Sequence, residues 1–172
     1  MTSEEQEDIK QKIRKMLVQA QEQVESDQLS DAEQKYIEIL SWDSKNLPAY
    51  FGLGELYMKT KQFVQAKETF DFLIRLLESL EKGQDMLSKF SSPLTANQIN
   101  EVYYDQSICY QVADDYENAV KYIDKGIKRD EKNPKFLDKK VEISILLKDK
   151  DAAKKALTTL KEENPENQKL EG

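Results

Sequence analysis

Large apolar and small residues recur along this chain in one fixed frame. Ala32, Ala66, Ala119 and Ala153 are separated by 34, 53 and 34 residues, and 53 is one period of 34 plus 19. Four positions after each alanine stands a large apolar side chain: Tyr36, Phe70, Ile123 and Leu157. Sixteen before it stands another: Met16, Tyr50, Tyr103 and Leu137. Twelve before it the residue is small or modest, namely Ala20, Gly54, Ser107 and Val141. A recurrence of this length is an internal repeat and not a chance of composition. Gln, Glu, Lys, Leu and Ala, all good helix formers, dominate the frame. The pattern therefore predicts a helical chain built from repeated units.

The fullest copies of the frame are Tyr50-x-x-Leu53-Gly54-x-x-Tyr57 with Ala66-x-x-x-Phe70, and Tyr103-x-x-Gln106-Ser107-x-x-Tyr110 with Ala119-x-x-x-Ile123. This 34-residue motif resembles the tetratricopeptide repeat (TPR), and the overall pattern is similar to bacterial scaffold proteins of that family. The resemblance implies an all-α, right-handed solenoid of eight helices in antiparallel pairs over residues 13–163, one domain over 1–172. Its repeats would run over about 13–46, 47–80, 100–133 and 134–167, with an insertion at 81–99. Each repeat is a helix A, a tight turn and a helix B. Small residues belong where the two cross and large ones fill the adjoining space. A single pair cannot cover its own apolar face, so repeats stack.

Local signals place the helix starts. Ser30-x-x-Glu33 has the capping-box pattern for the first B helix, and Thr95-x-x-Gln98 has it before the third A helix. Asn133-Pro134 offers an N-cap followed by proline at the first helical position. Asp115 and Asp149 can cap their B helices. The A–B turns carry Asp27, Lys61, Asp114 and Lys148 where the family usually has glycine. Lysine enters the left-handed region reluctantly, so differently shaped turns are expected there. Gln19 and Gln23 replace the motif's Leu and Tyr in the first repeat, as suits an end repeat with one face in water. In the insertion, Leu76, Leu77, Leu80, Met86, Leu87 and Phe90 have apolar helical spacing. They predict that helix 2B runs on to about Lys89, breaking at Ser91-Ser92-Pro93. The insertion reads either as a tolerated surface segment or as a docking element. Helix 4B has Ala153, Ala156, Leu157 and Leu160 on one face and Lys154, Lys155, Thr158 and Lys161 on the other, fitting a polar end cap. Asn167 to Gly172 have little apolar anchorage and are expected to be poorly ordered. The closing Leu170-Glu171-Gly172 fits a cloning scar on a piece of a longer protein.

Composition narrows the function. The 172 residues carry 33 acids and 26 bases, a net charge of −7. That leaves no basic field for nucleic acid or for direct contact with an anionic membrane. Residues 1–40 hold ten acids against five bases. No stretch approaches the roughly 20 apolar residues of a membrane span, and the N-terminus lacks signal-peptide regions. One cysteine excludes an internal disulfide framework and fits a cytoplasmic or other soluble, reducing compartment. There is no histidine, so the commonest general base and zinc ligand is missing. Cys109 has no histidine partner and reads as core. Gly52-Leu53-Gly54 lacks the third glycine of a phosphate loop, and Asp114-Asp115 has too few oxygen ligands for calcium. No catalytic, cofactor or metal site is expected, and the chain reads as a binding protein without enzymatic activity.

The working surface implied by the resemblance is the A-helix face, concave in this family. Its repeat position five is Leu17, Phe51, Tyr104 and Asp138; position nine is Gln21, Glu55, Ile108 and Glu142; position twelve is Val24, Met58, Gln111 and Ile145. These positions share one helical stripe. Leu17, Gln21, Phe51, Glu55, Met58, Tyr104, Asp105 and Ile108 are the candidate contacts for a partner peptide or helix. Glu55 and Asp105 would favour flanking Lys or Arg in it. Chaperone-tail clamps of the family need cationic and amide side chains. The matching sets here, Leu17, Gln21, Gly52, Glu101 and Asp105, or Phe51, Glu55, Asp105, Lys135 and Lys139, put acid where the clamp needs a donor. The expected function is a protein-interaction scaffold. The alternatives are a self-associating structural module, which would make the chain a homo-oligomer, or an accessory domain of a larger, membrane-tethered bacterial protein.

Overall fold

In a computed structural model, which describes residues 1–163, the periodic frame becomes α-helix pairs. Among the described residues there are eight helices and no strand. They are α1 (Ser3–Glu25), α2 (Leu29–Trp42), α3 (Leu47–Lys59), α4 (Phe63–Glu81), α5 (Ala96–Val112), α6 (Tyr116–Arg129), α7 (Pro134–Leu146) and α8 (Lys150–Glu163). The expected state of Asn167 to Gly172, and the end of the fourth repeat, lie outside the described residues. Contacts divide the chain into two compact units, residues 1–98 and 99–172.

The four A–B turns share one geometry, contrary to the expectation that lysine would alter two of them. Asp27, Lys61, Asp114 and Lys148 have φ of 61°, 59°, 57° and 60°. In each, the amide of this residue donates to the carbonyl three back, at 3.0–3.1 Å, and the next amide donates to the carbonyl five back, at 2.8–2.9 Å. Two orphan carbonyls at the helix end are thereby satisfied. Those bonds, together with the helices packed on both sides, hold the left-handed backbone whether the side chain is Asp or Lys.

In the first unit α1 packs on α2, α2 on α3 and α3 on α4. Ala20, Ala32 and Ala66 are fully buried, as are Ile39, Phe70 and Leu73. The small-against-large rule is tightest at Gly54, where a Cβ would lie 2.4 Å from the Phe70 ring. Gly52 repeats it across the α2–α3 junction, with Tyr36 2.3 Å from the same imagined atom. In the second unit α7 packs on α8 and α6 on α7. Tyr110 of α5 stacks on Tyr122 of α6, with centroids 5.3 Å apart and planes at 12°. Ala119, Ile123, Cys109 and Phe136 are buried. On α8, Ala156 and Leu160 are buried and Ala153 and Leu157 half-buried, while Lys154, Lys155 and Thr158 face out.

Two of the expected boundaries are corrected. Helix α2 begins at Leu29 with Gln28 at its N-cap and no side-chain cap, so Ser30 lies inside the helix and not at its cap. Helix α4 stops at Glu81 and does not continue to Lys89. Gly83, at φ 68°, ends it: its amide donates to Leu80 O at 3.1 Å, and the Gln84 amide donates to Ser79 O at 3.0 Å. The remaining caps form as read. Thr95 and Gln98 exchange backbone and side-chain bonds at 2.9 and 3.1 Å. Asn133, Asp115 and Asp149 accept from Lys135, Asn118 and Ala152 amides at 3.0, 3.2 and 3.1 Å. Asn46 adds another, accepting from Ala49 N at 3.0 Å.

The non-helical part of the insertion, residues 82–95, is a strap tied to the α2–α3 corner. Asp43, only 6% exposed, is its anchor. Ser88 donates to Asp43 Oδ1 at 2.7 Å, and Asn46 Nδ2 donates to Asp43 Oδ2 at 3.1 Å and to Phe90 O at 3.2 Å. The Leu47 amide, one of the orphan donors at the start of α3, donates to Ser91 Oγ at 3.0 Å. Lys45 closes the outer edge on Asp85 at 2.8 Å, and this contact holds the Asp85 carboxyl below its usual range. Leu87 and Met86 line a small hollow with Leu47, Leu76 and Leu80, and both stay exposed, at 40% and 84%.

Candidate functional site

The candidate residues fall in both units, and each face is built differently. In the first unit, α1 and α3 lie against one another and present Leu17, Phe51, Glu55 and Met58, all half-buried. Gln21 is exposed and donates to Glu25 Oε1 at 3.2 Å, along its own helix. Lys59 donates to Val24 O at 3.4 Å and joins the ends of α1 and α3. Behind this face, Tyr57 donates to Glu33 at 3.1 Å. Burial first, and then the charge of Glu33, push the Tyr57 hydroxyl up to about 12.

In the second unit Tyr104 and Ile108 stand one turn apart on α5, both half-buried. Tyr104 does not offer a bare ring. Lys135 Nζ lies 4.1 Å from its centroid and Lys139 Nζ 5.7 Å, cation–π distances that neutralise part of the face. Lys135 also pairs with Glu101 at 2.8 Å. Burial alone would lower the Lys135 pKa, but Glu101, with Tyr104 and Asp105 nearby, outweighs it and raises it. Lys139 donates to Glu142 at 2.7 Å and Gln111 donates to its other oxygen at 2.8 Å. These two bonds hold the Glu142 carboxyl below its ordinary value.

Asp105 requires a correction. It is only 8% exposed, so its carboxylate is not the solvent-facing acid that its repeat position suggested. Lys135 and Lys139, at positions of the family's clamp, stand instead over the Tyr104 ring. The signal for it was the period itself, since Glu101 and Lys135 are 34 residues apart. Within the second unit that offset brings the matching positions of α5 and α7 within reach of one another. No helix among the described residues is long and apolar enough to cross a membrane.

Comparison with known proteins agrees with this architecture. Two sequence profiles, each described as tetratricopeptide repeat, match residues 23–75 and 101–133, together half of the chain. No curated protein matches the sequence. Among solved structures, the chain is similar to YrrB, a TPR protein with an unusual peptide-binding site. The identity is 17%, with 87% of this chain and 68% of that one covered and a TM-score of 0.69. It is similar to MamA at 14% identity, covering 91% and 81%, with a TM-score of 0.71. A tetratricopeptide repeat protein from Parabacteroides merdae matches at 18% identity over 93% of this chain and 59% of that one, with a TM-score of 0.65. At such identities the likeness speaks for the fold. The repeat profiles, the 34-residue frame and the helix pairs together place this chain in the tetratricopeptide-repeat family.

Proposed function

We propose that this protein is a non-enzymatic interaction scaffold that receives a peptide or helix from a partner protein on the A-helix faces of its repeats. The TPR fold is a protein–protein interaction module in general, and YrrB carries a peptide-binding site by its description. The observation that carries the reading is the set of half-buried apolar side chains on α1, α3 and α5: Leu17, Phe51, Met58, Tyr104 and Ile108. Apolar groups on faces that the described residues do not fully cover are the natural anchors for a partner. Polar selection differs between the units. Glu55 beside Phe51 favours a lysine or arginine in the partner. At Tyr104, Lys135 and Lys139 stand over the ring, and a ligand there must displace or join them.

The test begins with an affinity pull-down from the native organism and identification of the partner by mass spectrometry. Purified partner is then titrated against Phe51→Ala, Tyr104→Ala and a control on a B helix, Val64→Ala, whose side chain is 65% exposed. Each groove variant is expected to lose about 1–3 kcal/mol of affinity while the control binds like the parent. Loss confined to the control would put the partner on the B helices and end the A-helix reading.

A further inference from the structure

The second unit has a cleft that its A-helix stripe does not use. It lies between α6 and α8 over α7, with a volume of about 680 Å³. Its floor is apolar and low: Ile127, Leu137, Ala152 and Ala156. The two alanines are one turn apart on α8, so a helix laid there could approach closely. The rim is charged. Asp124 and Lys140 neutralise each other at 2.5 Å, leaving the exposed Lys128 and Lys155 against Glu131. The walls keep the same sign: α6 and α8 carry eight bases and five acids, on a protein whose net charge is −7.

A segment of opposite character sits at the other end of the chain. Helix α1 starts at Ser3, ten residues ahead of the repeat frame, so its first turns have no part in the repeat. They carry the exposed Glu4, Glu5, Glu7 and Asp8, with no base before Lys10. Capping accounts for part of this acidity: Thr2 and Glu5 form the box, and Glu4 suits the positive end of the helix dipole. Glu7 and Asp8 are not needed for it. Met1, 74% exposed, and Ile9, half-buried, are the apolar residues of this stretch.

We propose that the N-terminal turns of α1 from one copy of the protein seat in the α6–α8 cleft of another. Lys128 and Lys155 meet the acidic turns, and the alanine floor receives the helix with Met1 and Ile9. The contact is heterologous, joining two different surfaces, so it either runs on from copy to copy or closes into a ring or a reciprocally exchanged dimer. It rests on exposed charges and weakens with salt.

Sedimentation velocity of the full chain, over roughly two decades of concentration, tests this at low and high salt. The expected result is a mass that rises with concentration at low salt and falls back as salt is added. Lys128→Glu/Lys155→Glu, and separately deletion of residues 1–9, should each leave a monomer at every concentration. Far-ultraviolet circular dichroism confirms that both variants keep their helices. Mixing Lys128→Glu/Lys155→Glu with Glu4→Lys/Glu7→Lys/Asp8→Lys should restore assembly, because both charges of the contact are then reversed. A wild-type chain that stays monomeric throughout overturns the proposal. So does an assembly that survives both the lysine reversal and the deletion.

Discussion

Four residues sit where the backbone must turn left-handed, and none of them is glycine. A side chain in that region costs roughly 1–2 kcal/mol, and glycine gives back about half of any relief through the freedom of its unfolded chain. Lys61→Gly and Lys148→Gly should therefore each stabilise the protein by about 0.5–1 kcal/mol, read from the midpoint of urea unfolding. The reverse holds at the crossings. Gly54→Ala drives a methyl into Phe70 and Ala66→Leu drives a whole side chain into a fully buried site. Each should cost about 1–3 kcal/mol, and an unchanged melting temperature would contradict the repeat register. Tyr57 provides a pH test. Its hydroxyl is pushed up to about 12 from 10.0 in the folded state, so the fold binds this proton more tightly than the unfolded chain. The linked stability is intact below about pH 10 and is lost as pH rises toward about 12. Tyr57→Phe should flatten that alkaline loss in denaturant titrations at successive pH values.

Among the elements, the strap at 82–95 holds the most information that periodicity lacked. Its apolar residues have helical spacing, and from that spacing α4 would continue; Gly83 in the left-handed region stops it instead. The bonds that tie it down join residues 44 and 45 positions apart, and nothing in a local pattern encodes such pairs. By contrast, the helix pairs are legible from the 34-residue recurrence, and the Thr95 box and the Asn133, Asp115 and Asp149 caps from neighbours within three residues. Ser30 misled for the same local reason. Its capping spelling is sound, but the turn at Asp27 starts α2 at Leu29. If the strap is held as described, Asp43→Ala should cost about 1–2 kcal/mol, and Ser91→Ala should speed hydrogen exchange at the Leu47 amide. The Lys45–Asp85 edge is present above the ordinary carboxylate range. It loosens only as pH falls below that range, through the depressed value of Asp85.

For the whole molecule, the repeat frame made the family and the A-helix placement of the stripe legible, but not the surroundings of its side chains. Repeat positions put Leu17, Phe51, Tyr104 and Ile108 on A helices, and all four are half-buried there. They do not reveal that Asp105 is buried, and only the 34-residue offset between Glu101 and Lys135 signals the lysines over Tyr104. The two lysines reach the ring from α7, in the next repeat. The central claim is that a partner lies against the A helices, and site-specific photocrosslinking tests it most directly. A benzophenone amino acid is placed in turn at Leu17, at Tyr104 and, on a B helix, at the exposed Val64, each in the presence of the purified partner. The account predicts crosslinks from Leu17 or Tyr104 and none from Val64. Crosslinks from Val64 alone would contradict it.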